Sequence, residues 1–331
     1  MRTQRLWGIA LVLLLGLGLL APAGAWAGEA TPMPKVSIRL KWVPLFQSAG
    51  FHVADKKGFY KDEGLDVTVN PGGPGVKAVN TVASGSDTFG VIGPDQIMIS
   101  KEKGLNLVGL MAVYQKSPTG FMAHRDSGIA HPRDFLGKRV AINFGSNTEG
   151  EYRAMMAKLG LDMKKVIEVP LRFDRTQFLQ RQVDVLSMYV TDEVFIARKH
   201  GADPVVITPD KYGIHWYADT VFAKKETVDA NPDMVRRFIR ASKRGWVWAL
   251  ENVPEAIDIM LQVNNKLDRD HQNYEAGVTK ELIMTDVVRR EGFGWMERAR
   301  WEQVMKDMIE QKLLKGPMNI DEMMTTRFLK E

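Results

Sequence analysis

Four short stretches of this chain carry side chains able to grip a small molecule. Trp42 and Gln47 set a flat ring near an amide that both donates and accepts hydrogen bonds; packed inward, the same tryptophan would only close a core. Gly93-Pro94-Asp95-Gln96 lies between a strand-like and a helix-like segment. Its acid is either an acceptor for a ligand or a first-turn carboxylate favoured by the helix dipole. Gly145-Ser146-Asn147-Thr148-Glu149 opens another helix, where unpaired N–H groups suit an anion or a polar edge. Ser146 with Glu149, or Thr148 with Glu151, also fits a capping box. Tyr189, Asp192 and Glu193 form the fourth stretch. The tyrosine face can stack, Glu193 can accept paired hydrogen bonds, and Asp192 reads as the N-cap of the helix it precedes.

What the sequence lacks narrows the chemistry. There is no cysteine among the 331 residues, which excludes disulfides, thiolate metal sites, cysteine nucleophiles and a lipidated N-terminal cysteine. No nucleophile–base pair stands out. The formal charge is +5, but acids and bases interleave, as in Lys61-Asp62-Glu63, so the surface reads as solvated rather than as a nucleic-acid footprint.

The elements that must position these residues alternate between strand and helix, the pattern of α/β layers. Residues 36–42, 65–69, 88–92 and 107–113 read as one series of strands. Residues 120–124, 139–144, 166–169, 183–189 and 205–208 read as a second. Val76, Val79 and Ala83 mark a helix in the first series. Tyr152, Met155, Met156 and Leu159 share one face of a helix in the second. A further helix over 192–200 ends at Gly201. After Val221-Phe222-Ala223 the texture becomes helical. Asn231-Pro232 is a cap followed by proline at the first helical position, and Val235, Phe238, Ile239, Ser242, Trp246 and Ala249 then hold one face. Pro254 opens the next helix. Trp246, Trp248 and Trp301 are expected in the core.

The N-terminus has Arg2 and Arg5, an apolar run over 6–20, and Ala25-Trp26-Ala27 before Gly28. That is the layout of a cleaved signal peptide over 1–27; the run is short for a spanning helix, which needs roughly 20 apolar residues. Cleavage leaves roughly 300 residues, a length more often two domains than one.

Several segments together resemble one family. Val36-Ser37-Ile38-Arg39-Leu40-Lys41-Trp42 is followed by Gln47, Ala49-Gly50-Phe51-His52-Val53-Ala54, Lys57-Gly58-Phe59-Tyr60 and Glu63-Gly64-Leu65-Asp66-Val67. Pro71-Gly72-Gly73-Pro74-Gly75, the Gly93 turn, the Gly145 turn, Tyr189-Val190-Thr191-Asp192-Glu193 and the stretch 212–220 agree. The chain thereby resembles ABC-transporter solute-binding proteins of the thiamine-precursor (pyrimidine) type, relatives of the sulfonate and taurine binders. The fungal thiamine pyrimidine synthase is grouped with them.

The resemblance implies a type II periplasmic binding fold: two α/β lobes, a two-segment hinge and a ligand cleft between them. One lobe would hold residues 35–117 and 221–331, the other 118–220. A break after Tyr114 and a return near Asp219 are legible without it. The cleft would be lined by Trp42, Gln47, Asp95, Gln96, Ser146, Asn147, Thr148, Tyr189, Glu193 and Tyr217, with His215 a weaker candidate on the return crossing. Trp42 and Tyr189 would sandwich a flat ring. The implied function is periplasmic capture of a small heteroaromatic, such as a thiamine pyrimidine precursor, by a monomer that delivers it to an inner-membrane permease. No cofactor, metal or nucleic-acid partner is expected. Two readings compete: an anion binder for sulfonates, helped if Arg172 or Arg175 approaches, and a pyrimidine synthase-like enzyme. The latter uses pyridoxal phosphate, a reactant histidine and a cysteine-rich motif; His52 and Lys41 lie near the corresponding region, but the motif has no counterpart here.

Overall fold

The computed structural model describes residues 32–173 and 175–330; the leader-like stretch 1–27 lies outside them. Ten strands form two five-stranded sheets. The first has β1 (Lys35–Arg39), β2 (Asp66–Asn70), β3 (Phe89–Ile92), β4 (Leu107–Tyr114) and β10 (Ala218–Lys224), in the order β2-β1-β3-β10-β4. The second has β5 (Thr119–His124), β6 (Arg139–Ile142), β7 (Ile167–Pro170), β8 (Val185–Tyr189) and β9 (Pro204–Ile207), in the order β7-β6-β8-β5-β9.

The two orders are the same pattern. In each sheet three strands run parallel, and the fourth position is an antiparallel strand: β10 against β3 and β4, and β5 against β8 and β9. Each antiparallel strand begins where the chain has just crossed from the other sheet, through 115–118 or through 208–217. The crossings are thus anchored in both lobes. The return strand starts at Ala218, so residues 218–220 pair within the first sheet. Burial runs the whole length of edge strand β4 and interior strand β5, all eight and all six residues, as expected for sheets covered on both faces.

Strand ends differ from the sequence reading where loops take over. β1 stops at Arg39 because Lys41-Trp42 turn out beside the glycine loop, where Gly72 N–H donates to Trp42 O at 3.0 Å. A Cβ on Gly72 would lie 2.3 Å from Leu40 O, so only glycine allows that approach. The helix expected from Val76 begins at Ala78 and buries Ala78 and Val82, leaving Val76 exposed. Asn231-Pro232 does start a helix, Pro232–Glu251, although the Asn231 amide donates back to Thr227 O rather than capping. Trp246 and Trp301 are fully buried; Trp248 instead lies half-buried, with Lys57 Nζ 4.3 Å from its ring centroid.

The long helix Pro232–Glu251 crosses the helix Ala49–Lys56 at near backbone contact. A Cβ on Gly245 would sit 2.2 Å from Gly50 O and 2.8 Å from Ala54 Cβ. Gly245→Ala should therefore cost about 1–3 kcal/mol through overpacking, read from the midpoint and slope of urea unfolding. Gly277→Ala, on a helix face where an added Cβ meets nothing within 4 Å, should be stabilising by up to about 1 kcal/mol. Equal responses at the two positions would refute the close-crossing assignment.

Candidate ligand-binding site

A cavity of about 560 Å³, mouth included, opens between the lobes at the C-terminal ends of the parallel strands, where open α/β sheets place ligands. The first lobe supplies Lys41 and Trp42 from the loop after β1, and Gln47 from the turn Phe46–Ser48. The second supplies Ser146, Asn147 and Thr148 from the start of the helix Asn147–Lys158, Leu171 and Phe173 after β7, and Ser187 and Tyr189 on β8. Asp192 and Glu193 lie just beyond β8.

Lys41 ties this wall together. Its Nζ donates to Asn147 Oδ1 at 2.7 Å, to Asp219 Oδ1 at 3.0 Å and to the Tyr189 hydroxyl. Tyr189 in turn donates to Asn147 Oδ1 at 3.1 Å. Asn147 Nδ2 donates to Glu151 Oε1 at 2.9 Å, an oxygen that also accepts from Ser117 Oγ at 2.7 Å and Thr119 Oγ1 at 2.8 Å. An ammonium of the first lobe thus reaches a carboxylate of the second through one amide.

The opposite flank is acidic. Glu275, fully buried on the helix Arg269–Ile283, accepts from the N–H groups of Phe46 and Gln47 at 3.0 and 3.1 Å and so fixes the turn that carries Gln47. Glu193 Oε2 accepts from Tyr189 N–H at 3.0 Å. Burial, then the neighbouring Asp192 charge, hold the Glu193 carboxyl above its ordinary range. His271 Nε2 stands 2.9 Å from Asp192 Oδ1, at an angle too poor for a hydrogen bond, and Arg175 Nη2 lies 3.3 Å from Asp192 Oδ2.

Of the residues singled out from sequence, Trp42, Gln47, Ser146, Asn147, Thr148, Tyr189 and Glu193 line this cavity. Asp95, Gln96 and Tyr217 do not. Asp95 is sealed beneath it at 1% exposure, accepting from Gln96 Nε2 at 2.9 Å. Tyr217 belongs to the hinge: its hydroxyl accepts from Glu297 N–H at 2.9 Å, and the Arg300 guanidinium lies 4.0 Å over its ring. His215 is turned outward, 2.7 Å from Asp210.

Other expectations need correcting as well. The aromatic neighbour of Trp42 is Phe173, at 5.0 Å and 45°, rather than Tyr189, whose hydroxyl is drawn to Lys41. Neither capping box forms. Ser146 Oγ donates to Asn143 O, Glu149 Oε2 accepts from Gly145 N–H, and Glu151 serves the network above. Asp192 makes no side-chain cap, because its carboxylate faces His271 and Arg175. Arg172 turns away to Gln182.

Lys41, Phe173, Ser187 and Asp192 are among the lining residues that sequence reasoning did not assign, with Asn143, Leu171 and Met188. Ser187 Oγ is buried without a hydrogen-bond partner among the described residues. The available signal was positional: Lys41 directly precedes Trp42, and Ser187 falls two residues before Tyr189 on a strand, on the same face.

The comparisons with known proteins agree with this architecture. A riboflavin-binding protein of Chloroflexus aurantiacus is 24% identical over 93% of this chain and 90% of its own length. A formylaminopyrimidine-binding protein of Halalkalibacterium halodurans is 23% identical over 87% and 90%. A 4-amino-5-hydroxymethyl-2-methylpyrimidine phosphate synthase of Legionella pneumophila is 24% identical over 70% and 75%. Among solved structures, the alkanesulfonate-binding protein of Xanthomonas axonopodis pv. citri superposes with a TM-score of 0.71 at 14% identity, over 90% of this chain and all of its own. This shared fold is the type II periplasmic binding fold. With the family profile matching residues 45–256, the chain belongs to the NMT1/THI5-like family.

Proposed function

We propose that this protein is the extracytoplasmic solute-binding component of an ABC importer, and that it takes a small, neutral or weakly basic heteroaromatic of the thiamine pyrimidine-precursor kind. The observation that carries this reading is the charge of the cavity wall. Its ammonium, Lys41, is already paired with Asp219, while Asp192 and Glu193 add carboxyl groups to the lining. A Glu193 carboxyl kept partly protonated can donate one hydrogen bond and accept another, the pattern an aminopyrimidine edge offers in reverse. Ser187 Oγ adds a free hydroxyl, and Trp42 with Phe173 offers ring faces near the mouth. The names of the riboflavin- and formylaminopyrimidine-binding relatives point to the same class of flat ring.

One observation favours an anion instead. The helix at Ser146 has no side-chain cap, and its first residues line the cavity, so its N–H groups could receive a sulfonate. The nearby carboxyls oppose that.

The mechanism in this reading is physical. Hinge closure brings Trp42 and Gln47 of one lobe against Asn147, Tyr189 and Glu193 of the other. Ligand favours the closed state through contacts made only there, and the closed surface would be what the permease reads.

Thermal shifts on protein stripped by unfolding and refolding would test the ligand class, with aminopyrimidines, thiamine, riboflavin, taurine and alkyl sulfonates as the panel. A ligand at 100 times its Kd should add about 2.7 kcal/mol. A shift with a sulfonate alone overturns the heteroaromatic reading and moves the site to the Ser146 helix. Trp42→Ala should weaken the active aminopyrimidine by about 1–3 kcal/mol, the scale of ring stacking, with the ligand-free melting temperature unchanged; equal affinity rules the stacking out.

Lys41→Met strands the Asp219 carboxylate, which is 5% exposed. It should cost about 3 kcal/mol in urea unfolding near neutral pH, and Lys41→Met/Asp219→Asn should restore most of it. A double variant no better than the single one would show that the pair is not the brace.

A further inference from the structure

Beneath the cavity, two carboxyl groups from opposite lobes are buried together without enough positive charge. Asp95 lies in the first turn of the helix Pro94–Glu102 of the first lobe and is 1% exposed; Glu151 is on the helix Asn147–Lys158 of the second and is 0% exposed. Asp95 Oδ2 lies 3.5 Å from the point where a Cβ on Gly150 would stand, which sets Asp95 against the turn that carries Glu151. Glu151 Oε1 accepts three hydrogen bonds and Asp95 Oδ2 accepts one. Their other oxygens, Glu151 Oε2 and Asp95 Oδ1, are buried and accept none among the described residues.

The surrounding groups do not balance this charge. Gln96, Ser117, Thr119, Asn147 and Trp216 are neutral, as are the phenols Tyr114 and Tyr189, which burial pushes far above their ordinary range. Lys41 supplies one positive charge and is bonded to Asp219. Asp219, Asp95 and Glu151 together would carry three negative charges. An uncompensated carboxylate in a dry interface costs several kcal/mol, and two neighbouring carboxylates oppose each other's ionisation. Neither Asp95 nor Glu151 lines the cavity, so a bound solute cannot reach them; a proton can.

We propose that closure of the lobes takes up a proton from solvent, held by the Asp95–Glu151 pair that closure seals between them. With the lobes apart, each carboxyl would face water and titrate near 4, its ordinary range. Closed, burial raises Asp95 and lifts Glu151 to about 7, with the Asp95 charge adding to the rise. A group whose value is raised in one state favours that state at low pH and loses the effect as pH climbs through the raised value. Closure is therefore promoted most at about pH 4 and below, and the closed-to-open ratio falls up to about tenfold per pH unit between about 4 and about 7 and levels off above that, for one proton. The inference needs lobes that move but no particular ligand, so it stands apart from the assignment of the solute.

The test is solution X-ray scattering of the stripped, ligand-free protein from about pH 4 to about pH 8, a span bracketing the expected transition. The radius of gyration should rise with pH through a midpoint between about pH 4 and about pH 7, then level off. Glu151→Gln should stay compact across the range, and Asp95→Asn should move the midpoint upward. His271→Gln, which alters the separate cluster around Asp192, should leave it in place. Infrared difference spectra of the compact wild type against Glu151→Gln should isolate one protonated-carboxyl C=O component, over those that Glu193 and Glu275 leave in both proteins. A radius that ignores pH, or a transition unchanged in both Glu151→Gln and Asp95→Asn, overturns the proposal. Should one of these variants fail to fold, the other decides.

Discussion

The interface between the lobes depends on one ammonium group. Lys41 is the cation at the head of a polar chain that runs from Asp219 on the return strand, through Asn147 and Tyr189, to Glu151 inside the second lobe. A lysine suits this place because its compact charge with three donors can serve three oxygens converging from different directions. Arginine's planar fork would hold one carboxylate well and the rest poorly. Asp219 meets the lysine from a left-handed backbone conformation (φ 53), uncommon for a residue other than glycine. The start of the return strand is bent to bring that carboxylate in.

A second cation organises the hinge by a different geometry. Arg300, on the helix Arg298–Glu310, lies over the Tyr217 ring and donates to the carbonyls of Gln115, His215 and Trp216. Gln115 lies on one crossing and the other two on the second, so a single guanidinium holds both. Trp216 Nε1 donates to buried Asp307 on the same helix at 2.8 Å. Here the fixed fork is an advantage, because the crossings must keep their spacing while the lobes turn about them. Lys41 braces the face that opens; Arg300 braces the axis.

The architecture was legible in the sequence because it is written locally. Alternation of strand and helix, the Asn231-Pro232 start, and the face shared by Tyr152, Met155 and Met156 each rest on neighbours within a few turns. Most of the cleft followed from motifs at strand ends. Three of the misreadings share one cause: a side chain whose partner is remote in sequence. Asp192 looks like a cap until His271, 79 positions on, is brought beside it. Lys41 looks like a flanking surface charge until Asp219 arrives from 178 positions away. Asp95 satisfies every local rule for a first-turn acid, and its burial comes from the other lobe.

Those remote pairings also govern what the cleft can hold. The fold itself does not select a ligand, since the two lobes and their hinge would close equally well on a cation, an anion or a neutral ring. Selection comes from the charge left over once the wall has satisfied itself. In this chain the leftover is acidic: the Lys41 charge is spent on Asp219, and Arg175 lies against Asp192. Carboxyl groups that cannot ionise cheaply in a closed cleft turn into hydrogen-bond donors. On the proposed function, a wall of that kind would discriminate by the donor and acceptor pattern of a flat polar edge, and would reject a full negative charge wherever the Ser146 helix does not outweigh it.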